Sequence, residues 1–150
     1  MKKLFQKKFY SGLTLIEVII SIAIIIIISS LALTVGLGFY KTFALDSEQA
    51  VLVSVLRMAR NSSINNLNQS AYGVFRDTSS YTLFRGNSYA TRNQEFDKRF
   101  TVAPSLSLSG LTEVVFTQLN GDALPSGTIT LNATGTSRTI TINTAGGINW

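Results

Sequence analysis

The sequence predicts an α+β protein in which a long N-terminal helix packs against a C-terminal antiparallel β domain. Three patterns lead to this prediction. Residues 13–38 form an apolar run in which Glu17 is the only ionisable side chain. Residues 45–61 then place apolar side chains at helical spacing, and residues 128–143 alternate threonine with isoleucine or leucine. A long helix followed by a set of strands is typical of a domain in which the helix covers a sheet.

The apolar run is long enough to cross a bilayer. A hydrocarbon core of roughly 30 Å needs about 20 helical residues. The lysines of the N-terminal stretch all precede the run, and only Lys41 stands close behind it. Because positive charge favours the cytoplasmic side, the sequence predicts a single-pass inner-membrane protein. Its N-terminus is expected in the cytoplasm, and the residues after Lys41 are expected in the periplasm or outside the cell.

Glu17 is the unusual residue of the apolar run. A carboxylate at the centre of a membrane helix costs on the order of 3 kcal/mol. From the residue alone, two interpretations are open. Glu17 can lie in the first helical turns, reach the headgroups and interact with the positive end of the helix dipole, or it can have a role that compensates for its cost.

The residues around Glu17 resemble the processing site of type IV pilins and pseudopilins. The resemblance comprises a lysine-rich leader, the stretch Gly12-Leu-Thr-Leu-Ile-Glu17-Val and an unbroken apolar run behind it. It implies that a prepilin peptidase cleaves between Gly12 and Leu13, that the new amine of Leu13 is N-methylated, and that Glu17 acts in assembly. Leu13 departs from the family pattern, because the first mature residue is most often phenylalanine. The leader charges are Lys2, Lys3, Lys7 and Lys8.

Elementary electrostatics is consistent with these roles. Cleavage after Gly12 would create a cationic amine at Leu13, one helical turn from Glu17, and the two charges attract strongly in a low-dielectric setting. The pair can form within one chain or between neighbouring subunits. An intermolecular pair would fix the axial register of a new subunit. A conventional signal peptide ends in small residues after its apolar stretch, whereas Gly12 precedes it here, so the helix is expected to be retained.

These patterns divide the chain into three segments: a cleaved leader over residues 1–12, a transmembrane or filament-core helix over residues 13–38, and the rest of the helix with a globular β head over residues 39–150. The helix is predicted from Leu13 to about Asn61 or slightly further. Its buried face is expected to contain Leu45, Leu52, Val55, Leu56 and Ala59, and its exposed face Asp46, Ser54, Arg57 and Asn61.

Short β-like runs fill the remainder of the chain. Residues 71–76 and 81–85 are predicted to form a hairpin, and residues 86–97 are polar and turn-rich, as in a loop. Shorter strands are predicted at 100–102, 106–108 and 113–117. The clearest pair is 128–132 with 138–143, because strict alternation indicates a sheet with one buried face. The strands are expected to fold over the apolar face of the helix.

The amino-acid composition excludes several kinds of catalytic and metal-binding site. The sequence has no cysteine and no histidine, which removes Cys and His metal sites and His-dependent triads. Two acidic residues separated by one position, such as Asp46 and Glu48, are far more often solvated surface residues than a catalytic pair. We therefore predict no enzymatic activity, no catalytic or metal-binding residue and no cofactor. Without the leader lysines, nine basic side chains face eight acidic ones, so the basic pI is weak support for nucleic-acid binding.

The predicted function is that of a structural subunit, a minor pilin or pseudopilin of a type IV pilus or a type II secretion pseudopilus. A second, less specific resemblance links residues 116–148 to H-type minor pseudopilins, through Asn120-Gly121, the strands at 128–131 and 138–142, and Gly146-Gly147. The missing disulfide also favours a minor subunit. The resemblance implies other pilin-like subunits, a prepilin peptidase, an inner-membrane assembly platform and an ATPase as partners, with membrane lipid as the surroundings before assembly.

Two alternatives belong to other functional classes. The first is a membrane-anchored extracytoplasmic binding module that forms no filament. The second is a DNA-binding minor pilin of an uptake machine, for which cations next to aromatic rings would be needed. The candidate cations are Arg85, Arg92, Lys98 and Arg99, and the candidate rings are Tyr81, Phe84, Tyr89, Phe96 and Phe100. Ordinary packing of these side chains is the more frequent outcome.

Overall fold

The fold is given by a computed structural model that describes residues 12–150, with side chains described for residues 12–30 and 39–150. The chain divides between Gly38 and Phe39 into two units. In the first unit, the backbone is helical from Leu15 onwards. The second unit contains the C-terminal part of the same helix and all the strands that the structure describes.

A long helix, α1, spans Leu15–Ile64. Its predicted start at Leu13 is wrong by two residues, because Thr14 caps the first turn and the helix begins at Leu15. Its predicted end at Asn61 or slightly beyond is confirmed, with three further residues in the helix. The helix ends in an asparagine- and serine-rich stretch, where Asn66 adopts a left-handed conformation with φ of 51°. Asparagine tolerates this conformation better than most residues. The apolar residues predicted to lie on one face are all buried, and the four polar residues predicted opposite them are all exposed.

In the described part of the chain, nine strands follow the helix and form two antiparallel sheets. The five-stranded sheet has the order β3-β2-β1-β5-β6, in which β1 is Tyr72–Arg76, β2 is Ser80–Arg85, β3 is Asn93–Thr101, β5 is Glu113–Phe116 and β6 is Ala123–Leu124. The four-stranded sheet has the order β4-β7-β8-β9, in which β4 is Ser107–Gly110, β7 is Gly127–Ala133, β8 is Thr136–Ile142 and β9 is Ile148–Asn149.

The structure confirms the strands whose sequences alternate. The first hairpin pairs β1 with β2, and the second pairs β7 with β8 in a continuous register that places Ile129 opposite Ile140. Both isoleucines are buried, whereas the neighbouring Thr128 and Thr139 are exposed. The period of two therefore assigns one face of this sheet to the core and the other to solvent.

The prediction of a loop over residues 86–97 is wrong in its second half. After a short 3₁₀ turn at Tyr89–Thr91, the chain enters β3 at Asn93 and pairs with β2 across a register shift between Leu83 and Arg85. β3 is an edge strand, and most of its residues are exposed and polar. An edge strand of this kind has no apolar alternation to reveal it, and charged side chains are typical of protected edges. The two-residue strands β6 and β9 were also not predicted.

The core lies between α1 and both sheets. Leu52 and Leu56 of the helix are buried together with Phe116 of the five-stranded sheet and Ile140 of the four-stranded sheet. Each fully buried large apolar side chain contributes about 1.5–3 kcal/mol. The α+β packing expected from the sequence is therefore confirmed. One face of the helix packs against both sheets, so both sheets share one core with it.

Polar contacts fix the helix to each sheet. The Tyr81 hydroxyl on β2 donates to Glu48 Oε1 on α1 at 2.8 Å, and Arg138 Nε on β8 pairs with Asp46 Oδ1 at 2.8 Å. Burial, followed by the hydrogen bond to Glu48, raises the pKa of the Tyr81 phenol above its ordinary value. The two sheets are thus anchored to neighbouring residues of one helical turn.

Arg60 connects two turns that contain glycine, one at Gly121 and the other at Gly146. The Arg60 guanidinium donates to the carbonyl oxygens of Gly121 at 3.3 Å and of Ala145 at 3.2 Å. Gly146 has a φ of +74°, and a Cβ at this position would overlap the carbonyl oxygen of Gly121. Gly135, in the turn between β7 and β8, has a similar φ of +84° but open space around it. Of these two glycines, only Gly146 is therefore required by both conformation and packing.

Replacing Gly146 should destabilise the head much more than replacing Gly135. Gly135→Ala forces a left-handed conformation on alanine and should cost about 1–2 kcal/mol. Gly146→Ala adds the steric overlap and should cost about 4 kcal/mol or more. Denaturant unfolding of the full chain in detergent, followed by circular dichroism of the β signal, measures both. Equal losses for the two variants would contradict the close approach of the turns.

The Tyr81–Glu48 contact should make stability depend on alkaline pH. Since the folded state raises the pKa of Tyr81, its contribution is complete below the unfolded pKa of about 10 and decreases as the pH rises above that value. Tyr81→Phe should cost about 1–2 kcal/mol near pH 8, and its deficit relative to wild type should shrink between about pH 9 and pH 11.

Thermal unfolding at a series of pH values measures this difference. Tyr40→Phe is the matched control, because the Tyr40 ring is 68% exposed, and it should keep the wild-type pH profile. A constant difference between Tyr81→Phe and wild type across the series would show that Tyr81 does not carry the dependence.

Candidate functional site

The predicted cleavage site lies immediately before α1. Gly12 and Leu13 are outside the helix and exposed, and Leu13 retains 74% of its accessible surface. Among the described residues, no atom of a non-neighbouring residue lies within 4 Å of the position that a Cβ on Gly12 would occupy. A peptidase needs a substrate backbone that is uncovered and not held in helical hydrogen bonds. As far as residues 12–150 show, both conditions are met at the Gly12–Leu13 bond.

Thr14 caps the first turn of the helix. Its side-chain Oγ1 accepts a hydrogen bond from the backbone N–H of Glu17 at 3.3 Å, and its carbonyl oxygen accepts from the N–H groups of Glu17 at 3.1 Å and Val18 at 3.2 Å. Capping of this kind satisfies N–H groups that have no partner within the helix. This role of Thr14 was not predicted from the sequence, although Thr14-x-x-Glu17 is the pattern of a capping box.

Glu17 lies in the first turn of α1, four residues from Leu13. Its side chain is exposed, and no cation pairs with it among the side chains that the structure describes. Its carbonyl oxygen accepts a hydrogen bond from the Ser21 hydroxyl at 2.7 Å. The residue therefore lies close to the positive end of the helix dipole. Glu17 is therefore an accessible acceptor next to the predicted new N-terminus.

The side chains around Glu17 are apolar and uncovered. Ile16 is 63% exposed and Ile20 is 51% exposed, and the large apolar side chains continue to be exposed as far as Ile28. An apolar surface of this extent is unfavourable in water. Lipid or the apolar surface of other subunits would have to cover it.

Two parts of the prediction remain outside these observations. The leader lysines Lys2, Lys3, Lys7 and Lys8 lie outside the described residues. Within the described residues, no helix combines the length and the apolarity needed to cross a membrane. The single-pass topology therefore stays a prediction.

Comparison with known protein families gives a match at the N-terminal end. Residues 7–33 match the prokaryotic N-terminal methylation motif. The matched range contains Gly12, Leu13 and Glu17 and extends into the apolar run. A comparison with curated protein sequences finds no match.

Comparison with solved structures finds proteins with a similar fold. Two structures of the minor pseudopilin EpsH from the type II secretion system of Vibrio cholerae are similar to this chain. One has a TM-score of 0.54 at 16% identity and covers 70% of this chain and 94% of its own. The other has a TM-score of 0.53 at 14% identity and covers 73% of this chain and 93% of its own.

The chain thus combines the N-terminal methylation motif with a fold similar to that of the minor pseudopilin EpsH.

Two of the four cations considered for nucleic-acid binding contact two of the aromatic rings considered with them. The Arg92 guanidinium lies 3.5 Å from the centre of the Tyr89 ring and pairs with Asp97 at 2.8 Å. The Arg85 guanidinium lies 3.7 Å from the centre of the Phe96 ring. Aromatic platforms for single-stranded nucleic acid need open ring faces, and one face of each of these two rings is occupied by an arginine of the same chain.

Proposed function

We propose that this chain is an H-type minor subunit of a type II secretion pseudopilus or a related type IV pilus. A prepilin peptidase cleaves it between Gly12 and Leu13, the amine of Leu13 is N-methylated, and the mature subunit assembles through its N-terminal helix. The observation that carries this proposal is the exposed, non-helical Gly12–Leu13 bond directly before a helix whose first turn contains Glu17.

Cleavage changes the electrostatics of this end of the helix. The new amine at Leu13 is a cation, and Glu17 is an exposed carboxylate one turn away that has no cationic partner among the described residues. Between two subunits, the amine of one and the carboxylate of the other neutralise each other in apolar surroundings, where an unpaired charge is costly. Pairing is complete in only one axial register, so the contact both attracts the incoming subunit and positions it.

The exposed apolar side chains of residues 13–28 give the second part of the mechanism. Before assembly, membrane lipid covers them, with the leader in the cytoplasm and the head on the periplasmic or outer side. After assembly, the helices of neighbouring subunits cover them. An inner-membrane assembly platform and an ATPase supply the work that moves the subunit from one environment to the other.

The mature protein should begin at Leu13. Intact-mass and N-terminal mass spectrometry of the protein purified from its host should give a chain lacking residues 1–12 and carrying one additional methyl group on its amine. A chain that begins further along would indicate a conventional signal peptidase, and a functional chain that keeps its leader would contradict processing altogether.

Glu17→Ala should leave membrane insertion intact and abolish entry into filaments. Loss of the carboxylate makes insertion more favourable by up to about 3 kcal/mol but removes the partner of the neighbouring amine. The measurement compares the membrane fraction with the sheared filament fraction by immunoblot. Glu95→Gln, which changes an exposed acid of the head, is the control and should assemble normally. Normal incorporation of Glu17→Ala would remove Glu17 from the assembly mechanism.

A further inference from the structure

A groove runs along the exposed side of α1 in the second unit. It has a volume of about 590 Å³ and lies between the helix and Trp150. The helix contributes side chains from successive turns, including Ser54, Arg57 and Asn61, and Asn65 follows directly after its end at Ile64. Residues spaced by three or four positions lie on one helical face, so Ser54, Arg57 and Asn61 form a continuous wall about two turns long.

Apolar side chains border this groove and remain uncovered. Met58 is 43% exposed, Leu67 is 52% exposed and Trp150 is 58% exposed. Tryptophan, methionine and arginine are enriched at protein–protein interfaces relative to the remaining surface. The head has its own buried core on the opposite face of the helix, so these three side chains do not serve that core.

Arg57 has the only charged side chain among the described residues that line the groove. Its guanidinium stacks 4.2 Å from the centre of the Trp150 ring, and no carboxylate pairs with it among the described residues. The neighbouring Arg60 differs, because its guanidinium is bound to two carbonyl oxygens. Stacking on Trp150 limits the rotamers of Arg57 and leaves its N–H donors available, so little entropy is lost when a carboxylate binds.

We propose that this groove binds a segment of a neighbouring pilin-like subunit in which an aspartate or glutamate stands beside an apolar side chain. The carboxylate pairs with Arg57, and the apolar side chain packs against Met58, Leu67 and Trp150. Charge complementarity selects the acid, since Arg57 is a cation and the described lining residues include no acidic side chain. A single cation is too few for nucleic acid, which is bound by several phosphate contacts. The inference rests on the proposed function, because filament packing brings such a segment to the helix.

The test compares charge variants in host cells that assemble the filament. Arg57→Glu should lower the fraction of the subunit recovered in sheared filaments about tenfold or more, because it places like charges opposite each other. Arg57→Lys should retain most of the incorporation, since it keeps the charge. Lys98→Glu reverses an exposed cation on β3 and is the matched control, with incorporation equal to wild type.

A photo-crosslinking amino acid in place of Asn61 identifies the occupant in the same filaments. The expected product joins this chain to a pilin-like subunit, at a stretch that contains an aspartate or glutamate. A product with a protein of another class, with nucleic acid or with a stretch lacking acids would overturn the inference, as would the absence of any product.

The outcomes separate the two proposals. Equal incorporation of Arg57→Glu and wild type would overturn the role of the groove while the proposed function stands. Absence of the wild-type chain from filaments would overturn both. Circular dichroism melting of the full-length Arg57→Glu variant in detergent, expected to match wild type because Arg57 is exposed, separates an assembly defect from a folding defect.

Discussion

The structure of the head depends on the burial of one apolar face of α1 against two sheets at once. Leu52 and Leu56 meet Phe116 from one sheet and Ile140 from the other, and all four side chains are almost completely buried. Apolar burial is the main favourable term in folding. Most of the large buried side chains of the described residues belong to this shared cluster, so the helix joins the two sheets into one core. The polar contacts at Asp46 and Glu48 orient the sheets on that helix.

At its N-terminal end, the same helix has apolar side chains that no other part of the described chain covers. From Leu13 to Ile28 its large apolar side chains are exposed in the isolated chain, although this stretch is the most apolar part of the sequence. Nothing in the described part of the chain covers them. A surface of this kind is stable only when lipid or the apolar surface of another protein covers it, as the proposed assembly would provide. The capped start at Thr14 and the exposed Gly12–Leu13 bond place the predicted processing site at the boundary of this surface.

Three arginines of the head have different roles because their guanidinium groups contact different groups. Arg60 holds two turns together through carbonyl oxygens, and Arg92 is neutralised by Asp97. Arg57, three residues before Arg60, stacks on Trp150 and faces an open groove. A guanidinium that donates to internal acceptors stabilises the fold, whereas one that contacts only a ring keeps its donors for a partner. Local sequence cannot distinguish Arg57 from Arg60, because the groups that contact them come from residues about 60 to 90 positions away.

Local sequence pattern was sufficient for the helix from the apolar run to residue 61 and for the hairpins around residues 77–79 and 134–135, since periodicity is a property of neighbouring residues. The candidate site at Gly12, Leu13 and Glu17 also follows from a short local motif, and its processing and assembly roles stay predictions. Only the tertiary structure decided that β3 forms an edge strand, that Gly146 must approach Gly121, and that Trp150 closes a groove with Arg57. These features depend on contacts between residues that are distant in the chain. The spacing of residues along a sequence does not indicate which distant residues will be in contact.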